Sequence, residues 1–86
     1  MVFFIAPKIN GIATRLKVEL ISQQNGLEKY KVTAKNRELI FQTNQLMLKQ
    51  KGLKHKRAQW KIISGNLNNT YAFEKIVEAI AERIED

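Results

Sequence analysis

The chain has 86 residues, a net charge of +7 and no cysteine. A chain of this length folds as a single domain, residues 1–86, that buries roughly 60% of its unfolded surface. The missing cysteines exclude disulfides, a thiol nucleophile and thiolate zinc sites.

The N-terminal fourteen residues open on an apolar run, Val2-Phe3-Phe4-Ile5-Ala6. It is too short for a signal peptide or a membrane span, so the chain is expected to be soluble, unprocessed and cytoplasmic. Three roles are open to the run: an edge strand, a cover over an open sheet face, or a contact with a second subunit in a homodimer. Two phenylalanines left in water would expose a sticky patch, which argues against disorder.

Residues 15–64 follow period two between turn signals and predict an antiparallel β-meander of four to five strands. In the first strand Leu16, Val18 and Leu20 face one way, while Lys17 and Glu19 face the other. In the second, Tyr30, Val32 and Ala34 share the core face, and Lys29, Lys31 and Thr33 lie outside. Setting Val18 opposite Val32 and Leu20 opposite Tyr30 puts Gln23 opposite Leu27. Parity thus selects a three-residue loop, Gln24-Asn25-Gly26, closed by a G1 bulge. A turn at Asn36-Arg37 follows, with Ala34 opposite Leu39, Val32 opposite Phe41 and Lys31 beside Gln42. A short fourth strand is expected at Leu46-Met47-Leu48, ending at Lys51-Gly52. The last strand, residues 57–63, turns Ala58, Trp60 and Ile62 inward and Arg57, Gln59, Lys61 and Ile63 outward.

After Ser64-Gly65-Asn66 the period becomes helical. Phe73, Ile76, Val77, Ile80, Ala81 and Ile84 form one stripe, predicting an amphipathic helix over 69–85, capped by Asn69 or Thr70 and packed on one sheet face. The predicted fold class is therefore α+β. Asn68-Asn69-Thr70 also matches a glycosylation acceptor, but a helix start requires the same residues.

Charge is unevenly distributed along this plan. Residues 1–68 hold 13 Lys and Arg against Glu19, Glu28 and Glu38, a balance of +10, while residues 69–86 carry −3. Within residues 49–61 six of thirteen side chains are cationic, and the only His and only Trp lie among them. Together with the outer sheet face this is the composition of a surface that follows a phosphate backbone. The expected phosphate contacts are Lys29, Lys31, Lys51, Lys54, Lys56, Arg57 and Lys61. By alternation Tyr30, Phe41 and Trp60 turn inward, so no ring is expected on the outer face for base stacking, and binding should be electrostatic and weakly selective.

No catalytic constellation accompanies these cations. His55 has neither a nucleophile nor a carboxylate beside it in sequence, and one His without Cys makes no zinc site. Glu74, Glu78, Glu82 and Glu85 repeat at helical spacing opposite the apolar stripe, as a solvated face does. The four glycines are scattered singly and form no phosphate-cradling loop. The sequence thus predicts a small non-enzymatic basic module, without cofactor, metal or small-molecule substrate, that binds nucleic acid or another polyanion with low specificity. The alternative is a protein-interaction or self-assembly module that uses the N-terminal segment or a sheet edge.

Overall fold

The computed structural model describes residues 1–53 and 57–84. Its main element is a five-stranded antiparallel sheet built from β1 (Val2–Ile5), β4 (Leu16–Gln24), β5 (Leu27–Ala34), β6 (Arg37–Thr43) and β7 (Trp60–Ser64), in the order β1-β4-β5-β6-β7. Two short strands, β2 (Lys8–Ile9) and β3 (Ile12–Ala13), form a separate hairpin. A short helix α1 (Gln45–Gln50) follows β6, and α2 (Thr70–Ile84) ends the described fold. The α+β class and the C-terminal helix agree with the sequence pattern.

One sheet face is the core. Val18, Tyr30, Val32, Leu39 and Phe41 are buried beneath Ile76 and Ile80 of α2. Burial of a side chain such as Ile80, fully removed from solvent, is worth roughly 1.5–3 kcal/mol. Phe73 stacks on Phe41 with ring centroids 5.7 Å apart, and Trp60 stacks on Tyr30 at 6.0 Å. The inward direction read for Trp60 therefore holds. The helix starts where its cap permits: the Asn69 side-chain oxygen accepts the Ala72 N–H at 3.2 Å.

The N-terminal run takes the edge-strand role. Its alternation buries Phe3 and Ile5 and exposes Val2 and Phe4.

The last strand, expected over residues 57–63, is Trp60–Ser64, and residues 57–59 precede it outside the ladder. Three further local expectations require correction. Val18 does lie opposite Val32 and Leu20 opposite Tyr30, but Gln24 pairs with Leu27. The turn is thus two residues, Asn25-Gly26, both with positive φ, as in a type I′ turn. The extra residue sits within the strand: the register shifts between Leu20 and Ser22, leaving Ile21 as a β-bulge. The second hairpin is displaced by two residues. Val32 pairs with Leu39, Lys31 with Ile40 and Ala34 with Arg37 around Lys35-Asn36. A two-residue shift preserves every face, so side-chain parity cannot detect it, and the tighter register pairs more backbone groups.

The third correction is α1, where a strand was expected. Residues 45–50 lack β-branched side chains and are good helix formers, and three apolar residues in a row carry no period. The helix closes in a Schellman arrangement, in which the Leu53 N–H donates to the Leu48 carbonyl at 2.8 Å and the Gly52 N–H to that of Lys49 at 3.2 Å. Gly52, at φ 69°, supplies the left-handed residue this ending needs. The start of α1 is tied to the first hairpin, because the Met47 N–H donates to the Gly26 carbonyl at 3.0 Å.

Candidate nucleic-acid interface

The sheet face opposite α2 carries the candidate residues in cross-strand rows. In the first row Lys29 lies opposite Gln42, and Gln42 opposite Lys61. Two strand spacings separate the cations, about 10 Å between backbones. No ion pair involves Lys29 or Lys61 among the described residues. The row ends at a cleft of about 180 Å³ bordered by Gln42, Asn44, Gln59, Trp60 and Lys61. One wall is fixed by the Gln59 N–H, which donates to Asn44 Oδ1 at 2.8 Å. Side-chain amides thus stand beside the Lys61 cation.

The second row runs Glu19, Lys31, Ile40. Here Lys31 Nζ lies 3.6 Å from Glu19 Oε1 and 3.8 Å from Glu38 Oε2. The pairs are partly exposed and individually weak, about 0.2–1 kcal/mol, but two carboxylates offset one ammonium. Lys31 therefore sits in a locally acidic setting, unlike Lys29 beside it on the same strand.

The third row runs Phe4, Lys17, Thr33, Glu38. Phe4 is exposed, and the Arg15 guanidinium lies 4.4 Å from its ring centroid, a cation–π contact. This places an accessible ring on the face expected to have none. Once Val2–Ile5 is taken as a strand with Phe3 inside, alternation alone puts Phe4 outside; the missing information was the strand itself.

The basic stretch 49–61 is divided by the fold. Lys61 joins the outer row, and Arg57 is exposed three residues before β7. Lys51 is exposed at the end of α1, while Lys49 points to the helical layer and donates from Nζ to the Ile84 carbonyl at 2.9 Å. Lys54 and Lys56 lie outside the described residues, as does His55. Two further facts bound the chemistry. Among the described residues no three His, Cys, Asp or Glu side chains cluster as a metal site would require, and no helix is long and apolar enough to cross a membrane.

Compared with protein-family models, curated proteins and solved structures, the chain finds no match in any of the three.

Proposed function

We propose that the protein is a non-enzymatic module that binds the phosphate backbone of nucleic acid through its outer sheet face. The observation that supports this reading is the Lys29-Gln42-Lys61 row, two cations without acidic partners among the described residues, held at fixed spacing on the sheet face opposite α2. Arg57 and Lys51 are exposed beyond it, and Lys54 and Lys56 belong to the set by sequence. Lys31 contributes least, because Glu19 and Glu38 already surround it. The amides of Gln42 and Gln59 beside Lys61 offer hydrogen bonds to sugar or phosphate oxygens without selecting a base.

Fluorescence anisotropy of a labelled single-stranded oligonucleotide at several salt concentrations tests the reading. Each phosphate neutralised contributes roughly −0.7 to the slope of log K against log salt. The Lys29→Glu/Lys61→Glu variant should lose binding while retaining its circular dichroism. No binding at low salt, or binding indifferent to salt, rejects the proposal.

A further inference from the structure

The strand β1 is one edge of the sheet, and among the described residues no strand lies beyond it. Its backbone parity can be read from one bond: the Leu20 N–H donates to the Met1 carbonyl at 3.0 Å. In an antiparallel ladder, bonded and non-bonded pairs alternate. With Val2 opposite Glu19 and Phe3 opposite Val18, the bonds to β4 fall to Met1, Phe3 and Ile5. The N–H and C=O groups of Val2 and Phe4 consequently point away from the sheet, along the free edge. These same two residues are about half exposed, 51% and 50%, and no charge interrupts the four residues of the strand.

The opposite edge is differently constituted. The Asn44 N–H donates to the Gln59 carbonyl at 3.4 Å, so along β7 the outward groups belong to Trp60 and Ile62. Two copies joined there through a twofold axis, with Trp60 of one opposite Ile62 of the other so that all these groups pair, would set Lys61 against Lys61, and charges of this kind are what keep a natural sheet edge unpaired. A joint between β1 of one copy and β7 of another is head-to-tail and builds a ring or an open filament, not a dimer.

We infer that β1 is a homodimer contact, in which the occupant of the free edge is the β1 strand of a second copy. Antiparallel pairing with Val2 of one copy opposite Phe4 of the other satisfies the outward groups of both residues. It places Phe3 against Phe3 on the twofold axis as the non-bonded pair. On the outer face Val2 then packs on Phe4 across the joint, twice, an aromatic to β-branched pairing that covers the exposed apolar surface of each copy with that of the other. The product is a continuous ten-stranded sheet in which the two Lys29-Gln42-Lys61 rows lie on one face. The dimer itself requires no nucleic acid.

Sedimentation equilibrium of the full chain at micromolar concentrations should return twice the 10.0 kDa protomer mass. Phe4→Pro removes an N–H that no bond within the protomer uses, a substitution edge strands tolerate. It should leave circular dichroism unchanged and weaken association by at least about tenfold. Phe4→Glu is the second variant: its carboxylate meets Lys17 and Arg15 within one protomer but would be pressed against Val2 in the dimer, so it too should be monomeric and folded. A monomeric parent protein overturns the inference, and so does a dimer that persists in both variants. Neither result bears on oligonucleotide binding, which is measured separately on the same samples.

Discussion

The Tyr30 hydroxyl donates to Glu28 Oε2 at 3.1 Å, and both side chains lie on the core face of β5. Gln23 Nε2 donates to the same oxygen at 3.0 Å from the neighbouring strand. These two donors replace water around the carboxylate of Glu28, a residue only 8% exposed, which is how a buried acid is made tolerable. Burial of the phenol, then the nearby Glu28 charge, then the bond itself push the Tyr30 pKa well above the ordinary phenol value of 10.0.

A raised pKa in the folded state gives stability that is complete below the unfolded pKa. It is lost as pH rises beyond about 10, where the unfolded phenol ionises and the folded one resists. Tyr30→Phe should cost about 1–3 kcal/mol at neutral pH by leaving Glu28 one donor short. It should also lessen the fall in urea midpoint between neutral and strongly alkaline pH. Equal falls in the parent and the variant would show that Tyr30 is not the responsible group.

Deleting Ile21 should leave a folded protein. The bulge reconciles a two-residue Asn25-Gly26 turn with a register that keeps Leu20 opposite Tyr30. Without Ile21, Ser22 remains opposite Lys29 and Leu20 opposite Tyr30 in an unbroken ladder, and an exposed apolar side chain disappears. We expect the urea midpoint to stay within the range that about 1 kcal/mol allows. Deleting Glu19 instead would send Leu16 and Val18 to the outer face and should unfold the chain.

This bulge marks where the sequence ceases to be legible. Alternation identifies which residues of β4, β5 and β6 face the core, and all of those assignments hold. It also reveals that one extra residue must be absorbed between Leu20 and Leu27. Its location is decided by backbone energetics: Asn25 and Gly26 both adopt positive φ readily, so the tight turn forms and the irregularity moves into the strand. The Lys35-Asn36 turn is the converse case, since Lys35 accepts an uncommon φ of 47° in exchange for a longer ladder.

Gly65 should be among the least replaceable surface residues. A Cβ built there would lie 2.7 Å from the Glu38 carbonyl oxygen and 2.5 Å from Leu39 Cδ2, and the backbone φ is +90°. The Glu38 oxygen belongs to a paired strand and has little room to retreat. Gly65→Ala should therefore cost about 2–3 kcal/mol in urea denaturation, combining backbone strain with displacement of β6. Gly11→Ala is the control: it shares a positive φ, but an added Cβ meets nothing within 4 Å, so the loss should be nearer 1 kcal/mol.

The site was legible as composition rather than as geometry. Strand parity correctly assigns Lys29, Lys31 and Lys61 to one face, yet these lysines differ in their neighbours. A register moved by two residues sets Lys31 beside Ile40 and within reach of Glu38, where the sequence pattern sets it beside Gln42. Likewise the density of cations in residues 49–61 conceals that α1 turns Lys49 toward the C-terminus of α2. Charge counts along a chain carry no information about which side of a sheet each charge reaches.

Those neighbours make the strongest functional prediction one of gain rather than loss. Neutralising both partners of Lys31, with Glu19→Gln and Glu38→Gln together, removes two like-charged groups from the path of a phosphate and releases the ammonium at the centre of the outer face. Oligonucleotide affinity should rise, and the slope of log K against log salt should steepen by roughly 0.7 for the phosphate newly engaged. Lys31→Ala in the parent protein should change binding little, whereas Lys31→Ala added to the double variant should restore the parent slope. If the double variant binds more tightly with an unchanged slope, the gain comes from general charge and not from Lys31. If it binds no better at all, the outer face is not where the phosphates lie, and the Lys29-Gln42-Lys61 row loses its assigned role.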